Sequence, residues 1–530
     1  MAEGSLMMRK QGIVYLVGAG PGDPKLLTLR GQELLRQADV VVYDHLVSPS
    51  LLVHCAPGAK RIYAGKEPRR SVSGTFGARH LQRKINALLV RAAQSGKTVV
   101  RLKGGDPFLF GRGGEEALAL AEAKVPYEVV PGVTSAIAVP AYAGIPVTHR
   151  TLSSSVAFLT GHEDPAKPSS RIRWDMMATA CDTLVCLMGV AALPSIVERL
   201  IRHGRRSSTP CAVIASGTLP AQCTVTGTLK TIAVVARRAA IRPPAILVVG
   251  DVVSLRRRLA WFETKPLFGA RILVTRAAEK SAALADQLAA LGAEVEQLPA
   301  IELVPVEQNG VFREAIREIP NTDWLFFTSP EGLGRFAALL KPYRKDLRWL
   351  SGCRIGAIGP KTASAIEAAG LHVDFVPKQF SQEGILATLP RRVLRGKRAL
   401  ILSAEGSRDV LEKGLRARGM RVTKVPIYRA VIPKQMTREL IRILRARLDL
   451  VTVTSASCVD HLFHALNAVG KRRLFSTWRF ASIGPVTSAA VRAHGGRVAI
   501  EAKRSTVEDL VKAIIKQKKL VPNNDHAHQR

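Results

Sequence analysis

The sequence predicts an α/β protein of repeated strand–loop–helix–strand units, set out as two successive halves that part near residue 265. Three observations carry that prediction. Short apolar runs such as Val14–Val17 and Val40–Tyr43 alternate with amphipathic stretches, as in parallel sheets with helical crossovers. Gly- and Pro-rich loops follow the runs, where open parallel sheets place their ligands. Finally, 47% of the 530 residues are hydrophobic, enough for several separate cores, and the length corresponds to about three to four domains.

The first unit, VYLVGAGPGDPKLLTLRGQELLRQADVVVYDHLVSP, is the most informative. Strand Val14–Val17 enters the loop Gly18–Pro24, a helix follows, and strand Val40–Tyr43 ends on the carboxylate of Asp44. Asp44 stands roughly where a ribose-binding acid of a dinucleotide site would, but Pro21 and Asp23 replace the open amides and glycine that pyrophosphate needs. A loop carrying its own acid suits a cation or hydroxyls, and a sulfonium cofactor would fit. SGKT at 95–98 is no Walker loop, because residue 91 is Arg where that motif needs Gly. Strand Thr98–Leu102 leads into a second Gly-Gly-Asp-Pro turn within RLKGGDPFLFGRGGEE, where Asp106 can accept from ribose hydroxyls. Either loop alone also reads as an ordinary tight turn; together with VVPGVTSA (129–136) they point to a ligand. Val129–Thr148 is uncharged, yet Pro131, Pro140 and Pro146 would break a membrane-spanning helix.

This half closes on strand Ala245–Val249 and the amphipathic segment Leu255–Trp261. TKPLFG, 264–269, reads as a short linker. A fresh unit then begins with strand Ile272–Thr275, helix Ser281–Leu291, Gly292 as helix stop and strand Glu294–Leu298. The second half contains an internal echo: DWLFFTSPEGL (323–333) resembles DLVTVTSASCV (449–459), and RIGAIGPKTASAI (354–366) resembles RFASIGPVTSAAV (479–491). Two similar lobes would explain it. Residues 517–530 read as a disordered tail, with His526 and His528 as tail residues and not metal ligands.

Seventy-eight Lys and Arg against 42 Asp and Glu give a net charge of +36, spread along the chain, which favours polyanions without choosing between RNA and a polycarboxylate. Seven scattered cysteines with no CxxC pair read as reduced thiols, so neither a disulfide framework nor a metal site is expected. With no leader or anchor pattern in the sequence, a cytoplasmic location without membrane association is expected.

The run VGAGPGDPKLLTLRG, with VVYDHLVS, RLKGGDPFLFGRGGEEA, VVPGVTSAIAVPAYAGIPVTHR, LMG and VTGTL, resembles the uroporphyrinogen-III C-methyltransferases of the tetrapyrrole methylase family over about residues 12–262. The resemblance implies a two-domain α/β fold over 12–263 that binds S-adenosylmethionine, a homodimer, and double methylation of uroporphyrinogen III to precorrin-2. By position it assigns Pro21, Gly104, Gly105, Asp106, Leu109, Thr134, Ser135, Met188 and Gly217 to the methyl donor. It assigns Asp44 as proton acceptor and Lys66, 22 residues later, as proton donor. A turn acid and a solvated, carboxylate-binding lysine are the competing readings of those two. The chain departs from the family pattern over 67–84, which is more basic and leaves His80 out of register, and at Ala215 and Ser216, where acidic and polar residues are common.

The second half resembles the uroporphyrinogen-III synthases over about 270–516, through ILVTRAAE, DWLFFTSPEGL, AIGPKTASAIEAAG, FSQEGILATL, ILSAEGSRDVLEKGLRARG, VPIYRA and SIGPVTSAA. That resemblance implies two α/β lobes, one of about 270–302 plus 427–516 and the other 303–426. It implies a cofactor-free lyase that inverts the terminal ring of hydroxymethylbilane and closes the macrocycle. Tyr428 matches a tyrosine suspected of protonating the departing hydroxyl. Thr362, Thr487, Ser329 and Ser455 are candidate substrate-carboxylate contacts, each with helix capping as its alternative. The product of this half would be the substrate of the first, so one bifunctional enzyme leading to precorrin-2, toward sirohaem or cobalamin, is expected. Tetrapyrrole polycarboxylates would be the partners of the positive field, and nucleic acid is not expected. Two other readings stay open: an RNA-directed methylase of the same fold, and a second half that only docks.

Overall fold

The structure is a computed structural model that describes residues 12–65, 75–161, 170–276, 278–306, 310–390 and 394–517. Four five-stranded sheets organise it. The first comprises β1 (Ile13–Gly18), β2 (Val40–Tyr43), β3 (Lys60–Tyr63), β4 (Thr98–Lys103) and β5 (Tyr127–Val130), in the order β3-β2-β4-β1-β5 with every pair parallel. Its central strands are continuous Val/Leu runs because both faces are covered. Val14, Leu16, Val17, Val41, Val42, Val99 and Val100 are all fully buried. Thr28 caps the helix Leu29–Gln37 by accepting from the Gly31 N–H at 3.1 Å.

The second sheet comprises β6 (Val156–Thr160), β7 (Thr183–Leu187), β8 (Pro210–Ala215), β9 (Cys223–Thr228) and β10 (Ala245–Val249), in the order β6-β7-β10-β8-β9. Only β6 and β7 run parallel, so this half is not a purely parallel protein. The segment 255–261 forms short helical turns, Asp251–Leu255 and Arg256–Leu259, ahead of Trp261.

The third sheet holds β11 (Arg271–Val274), β12 (Glu294–Gln297), β18 (Leu450–Val453), β19 (Arg479–Ser482) and β20 (Arg497–Glu501), ordered β12-β11-β18-β19-β20. The fourth holds β13 (Glu302–Pro305), β14 (Trp324–Phe327), β15 (Arg354–Ala357), β16 (Arg398–Ala404) and β17 (Arg421–Val431), ordered β13-β17-β16-β14-β15. Here β17 first runs parallel to β16 and then pairs antiparallel with β13, Tyr428 opposite Pro305. The sequence echo is structural. Its copies form adjacent parallel strands in each sheet, β14 with β15 and β18 with β19. Even the closing hydrogen bond repeats: Ile358 N–H donates to the Phe327 carbonyl, and Ile483 N–H to the Val453 carbonyl, both at 3.1 Å.

The described residues divide into two compact units, one of residues up to 272 with 287–295 and 515–517, the other of 273–286 with 296–514. The segment 264–269 lies within the first of these units. Leu267 and Ala270 are buried, the Leu267 N–H donates to the Leu291 carbonyl, and the Ala270 carbonyl accepts from the Glu294 N–H. A proline and a glycine marked a turn there, but the apolar residues beside them found a core.

At the carboxyl edge of the first sheet three backbones meet. A Cβ on Gly18 would lie 2.4 Å from the Gly132 Cα, and one on Gly132 would lie 2.3 Å from the Gly105 carbonyl oxygen. Backbone cannot yield as a flexible side chain does, so Gly132→Ala should destabilise the chain by about 2 kcal/mol or more, read from chemical denaturation.

Candidate active sites

The loops after β1, β4 and β5 are locked to one another. Gly20 and Gly105 exchange backbone hydrogen bonds of 3.3 and 2.7 Å. Asp106 ties the second loop to the third: one carboxylate oxygen accepts from the Phe108 and Leu109 N–H groups, the other from the Gly132 N–H at 3.0 Å. With both oxygens engaged by backbone, Asp106 shapes the loop before it meets any ligand. Thr134 likewise caps the helix Ser135–Tyr142, accepting from the Ala136 N–H at 3.2 Å. Gly105 is left-handed at φ +68°, with the Ser135 N and Thr134 Cα about a van der Waals contact from where a Cβ would sit. Gly104 backs onto Leu46, and Gly217 onto Val139.

Side-chain-bearing residues here also take the left-handed conformation. Phe110, Arg112, Met188, Ser216 and Thr218 have φ between +49° and +67°, and Met188 is half exposed. Such backbone strain collects where surrounding packing holds a site in place. Pro21 and Leu109 lie in the loops after β1 and β4, whereas Met188 directly follows β7 and Gly217 lies just after β8 in the second sheet.

Asp44 ends β2. One oxygen accepts from the Leu46 N–H at 3.0 Å, which is the turn-acid role, while the other pairs with the Arg101 guanidinium at 3.3 Å. Arg101 and Lys103 lie two residues apart on β4, hence on one face, and both meet Glu116 of the helix Gly113–Glu122, at 3.1 and 3.0 Å. Glu116 is completely buried and also accepts from Gln82 Nε2 at 3.1 Å. Burial, followed by the neighbouring Arg101 charge, holds the Lys103 ammonium below its usual range, against the pull of Glu116. Motif reading did not single out this charge cluster. Its sequence signal was the alternation of two cations inside an apolar strand. Lys66, the expected proton donor, lies outside the described residues.

In the second half two expected residues meet directly. The Tyr428 hydroxyl donates to Ser329 Oγ at 2.9 Å, reaching from β17 past the end of β16 to the second residue after β14. Arg335 lies over the Tyr428 ring at 5.5 Å and donates to the Leu303 carbonyl. Burial pushes the Tyr428 hydroxyl above its usual value, with the bond to Ser329 opposing, so it remains a proton donor at neutral pH. Ser455 is a helix cap, accepting from the Cys458 N–H at 3.2 Å. Thr362 and Thr487 are buried in the first turns of helices Pro360–Glu367 and Pro485–Ala493, whose caps, Gly359 and Gly484, offer no side chain to the first-turn amides.

Residues 13–233 match the family described as Tetrapyrrole (Corrin/Porphyrin) Methylases, and residues 282–512 match Uroporphyrinogen-III synthase HemD. The Porphyrin biosynthesis protein HemD of Ruminiclostridium josui is 37% identical over 507 residues, covering 96% of this chain and 98% of that protein. The chain belongs to the fused tetrapyrrole methylase–uroporphyrinogen-III synthase family. The Uroporphyrinogen-III C-methyltransferase of Bacillus subtilis is 42% identical over 369 residues, 69% of this chain and 74% of the relative. The Uroporphyrin-III C-methyl transferase structure from Thermus thermophilus, complexed with S-adenyl homocysteine, is 40% identical over 46% of this chain and all of that one, with a TM-score of 0.39.

The methylase half thus presents interlocked loops and a charge-held Asp44, and the synthase half a buried tyrosine with a serine partner. Among the described residues no cluster of His, Cys, Asp or Glu could hold a metal ion, and no helix is long and apolar enough to cross a membrane. Removing the charge of Glu116 would leave two buried cations without their shared partner. Glu116→Gln should therefore lower stability by roughly 3 kcal/mol, measurable as a shift in the denaturation midpoint.

Proposed function

We propose that the chain is a bifunctional enzyme that closes hydroxymethylbilane, with inversion of ring D, to uroporphyrinogen III and then methylates that product twice to precorrin-2. The observation that carries this reading is the presence, in one chain, of the glycine-lined loop cluster beside Asp44 and the Tyr428–Ser329 pair.

In the first half, Gly18, Gly105 and Gly132 keep side chains out of the loop junction, and left-handed Met188, Ser216 and Thr218 line the loops of the second sheet. These residues fit S-adenosylmethionine, which supplies an electrophilic methyl group when bound. Their work is alignment, which accounts for a large part of the barrier in a transfer between two held reactants. Asp44, held by Arg101, then accepts a proton that the cationic methylated product loses from a position other than the now quaternary methylated carbon. Lys66 is proposed as the proton donor. Pro21, Gly104, Leu109, Thr134, Ser135 and Gly217 are proposed to contact the donor, with Asp106 acting through the loops it ties. A homodimer through this half is part of the same proposal, as is division of the chain into 12–263 and 270–516.

In the second half, Tyr428 protonates the departing hydroxyl of hydroxymethylbilane, and Ser329 orients it. The first-turn amides beside Thr362 and Thr487 are suited to substrate carboxylates. The cyclisation needs control of substrate shape more than chemical activation. A net charge of +36 favours capture of both polycarboxylates.

Anaerobic incubation with enzymatically generated hydroxymethylbilane tests the whole reading. Type III macrocycle is expected without S-adenosylmethionine, and its dimethylated form with it. Only type I products without the donor would sink the synthase assignment, and salt-sensitive RNA binding without tetrapyrrole methylation would sink the methylase one. Two substitutions separate the halves. Tyr428→Phe should slow type III formation at least about tenfold while methylation of supplied uroporphyrinogen III stays at the parent rate. Asp44→Asn should lower methylation kcat by roughly a hundredfold and leave ring closure unchanged.

A further inference from the structure

A circuit of hydrogen bonds, closed by aromatic ring contacts, runs from the first glycine loop to residue 263 and back. The Asp23 N–H donates to Thr218 Oγ1 at 3.0 Å, and the Thr218 N–H donates to Gln222 Oε1 at 2.8 Å. Gln222 Nε2 donates to Glu263 Oε1 at 2.7 Å. Glu263 also accepts from the Thr224 hydroxyl and pairs with Arg256, which in turn donates to the Ala143 carbonyl. The return path passes through rings. Phe262 and Trp261 pack edge-on to Tyr142 at 4.8 and 5.0 Å, and the Tyr142 hydroxyl donates to Asp23 Oδ2 at 2.8 Å.

Three features make this more than ordinary packing. Thr218, Gln222 and Arg256 are all under a tenth exposed, so each polar group depends on its partner in the circuit. Thr218 is left-handed at φ +67° and follows Gly217, so its strained backbone is fixed by the Gln222 bond. Gly22 leaves room for its hydroxyl, since a Cβ there would lie 2.9 Å from Thr218 Oγ1. The circuit therefore sets the distance between the loop of Pro21 and Asp23 and the loop of Gly217.

We propose that Glu263 is a positioning residue for the methyl-donor site, acting through Gln222 and Thr218 on one side and matched by Tyr142 on the other. The proposal rests on the reading that these two loops hold S-adenosylmethionine. It assigns the last turn before the second half a part in donor affinity, with no contact of its own to the donor.

Binding of S-adenosylhomocysteine to the full chain, by titration calorimetry, tests it alongside steady-state methylation. Gln222→Ala should raise the dissociation constant roughly tenfold, and Tyr142→Phe, which removes only a hydroxyl, roughly three- to tenfold. Glu263→Ala, which removes the acceptor shared by Gln222 and Thr224, should likewise raise it roughly tenfold, and a folded Glu263→Ala protein that binds within about twofold of the parent would overturn its positioning role. In all three the donor KM should rise with the dissociation constant, while kcat at saturating donor and the uroporphyrinogen III KM stay within about twofold. Circular dichroism melting confirms that the variants compared are folded. Folded Gln222→Ala and Tyr142→Phe proteins that bind within about twofold of the parent would overturn the proposal, as would equal losses of donor and uroporphyrinogen III affinity. A parent chain that does not bind S-adenosylhomocysteine would instead overturn the donor-site reading beneath it.

Discussion

Three strands of the first sheet end in backbones so close that no side chain fits between them. The Cβ positions of Gly18 and Gly132 are filled by each other's backbone and by the Gly105 carbonyl, and the exchange between Gly20 and Gly105 adds hydrogen bonds to that contact. The neighbouring loops are arranged around this approach. Asp106 bridges two of the loops, the helix Ser135–Tyr142 starts at the third, and its far end returns through Tyr142 to Asp23. The loops gain rigidity from one another, which is what a transfer governed by alignment requires.

The electrostatic counterpart lies a few residues away. Arg101, Lys103 and Glu116 place two cations and one carboxylate where water cannot reach, and Asp44 closes the network at its partly open end. A buried cluster of this kind contributes little net stability, because desolvation offsets the attraction. Its effect is to fix orientation: the Asp44 carboxylate is held by Arg101 on one oxygen and by the Leu46 amide on the other. The turn role and the proposed proton-accepting role of Asp44 are thus compatible, since the turn is what aims it.

In the second half the same architecture is used twice, with different endings. Both echo copies carry a Thr-Ser after one strand and a Gly-Pro after its neighbour, and both close with the same backbone bond. Yet Ser455 spends its hydroxyl on its own helix, whereas Ser329 receives the Tyr428 hydroxyl. The difference comes from β17, which holds Tyr428 between Ala404 of β16 and Pro305 of β13 with its hydroxyl on Ser329. The other sheet has no described equivalent of that strand, so the duplicated motif became a cap in one copy and a tyrosine partner in the other.

The sequence by itself determined the elements and the family. Strands Val40–Tyr43 and Ala245–Val249 were legible to the residue, because a buried strand is a short apolar run bounded by breakers. The glycine loops were legible because only glycine tolerates backbone contact, and the echo because repeated residues mark repeated units. What the tertiary structure decided was pairing over long separations. Asp23 with Thr218, Gln222 with Glu263, Arg101 with Glu116 and Tyr428 with Ser329 are partners no local pattern announces. The burial of 267 and 270 was hidden for the same reason: a Pro-Gly segment specifies a turn, and whether its apolar neighbours meet a core depends on what folds against them. Local chemistry fixes which conformations a residue can adopt, but a hydrogen bond or an ion pair has a partner only once the chain has brought distant segments together.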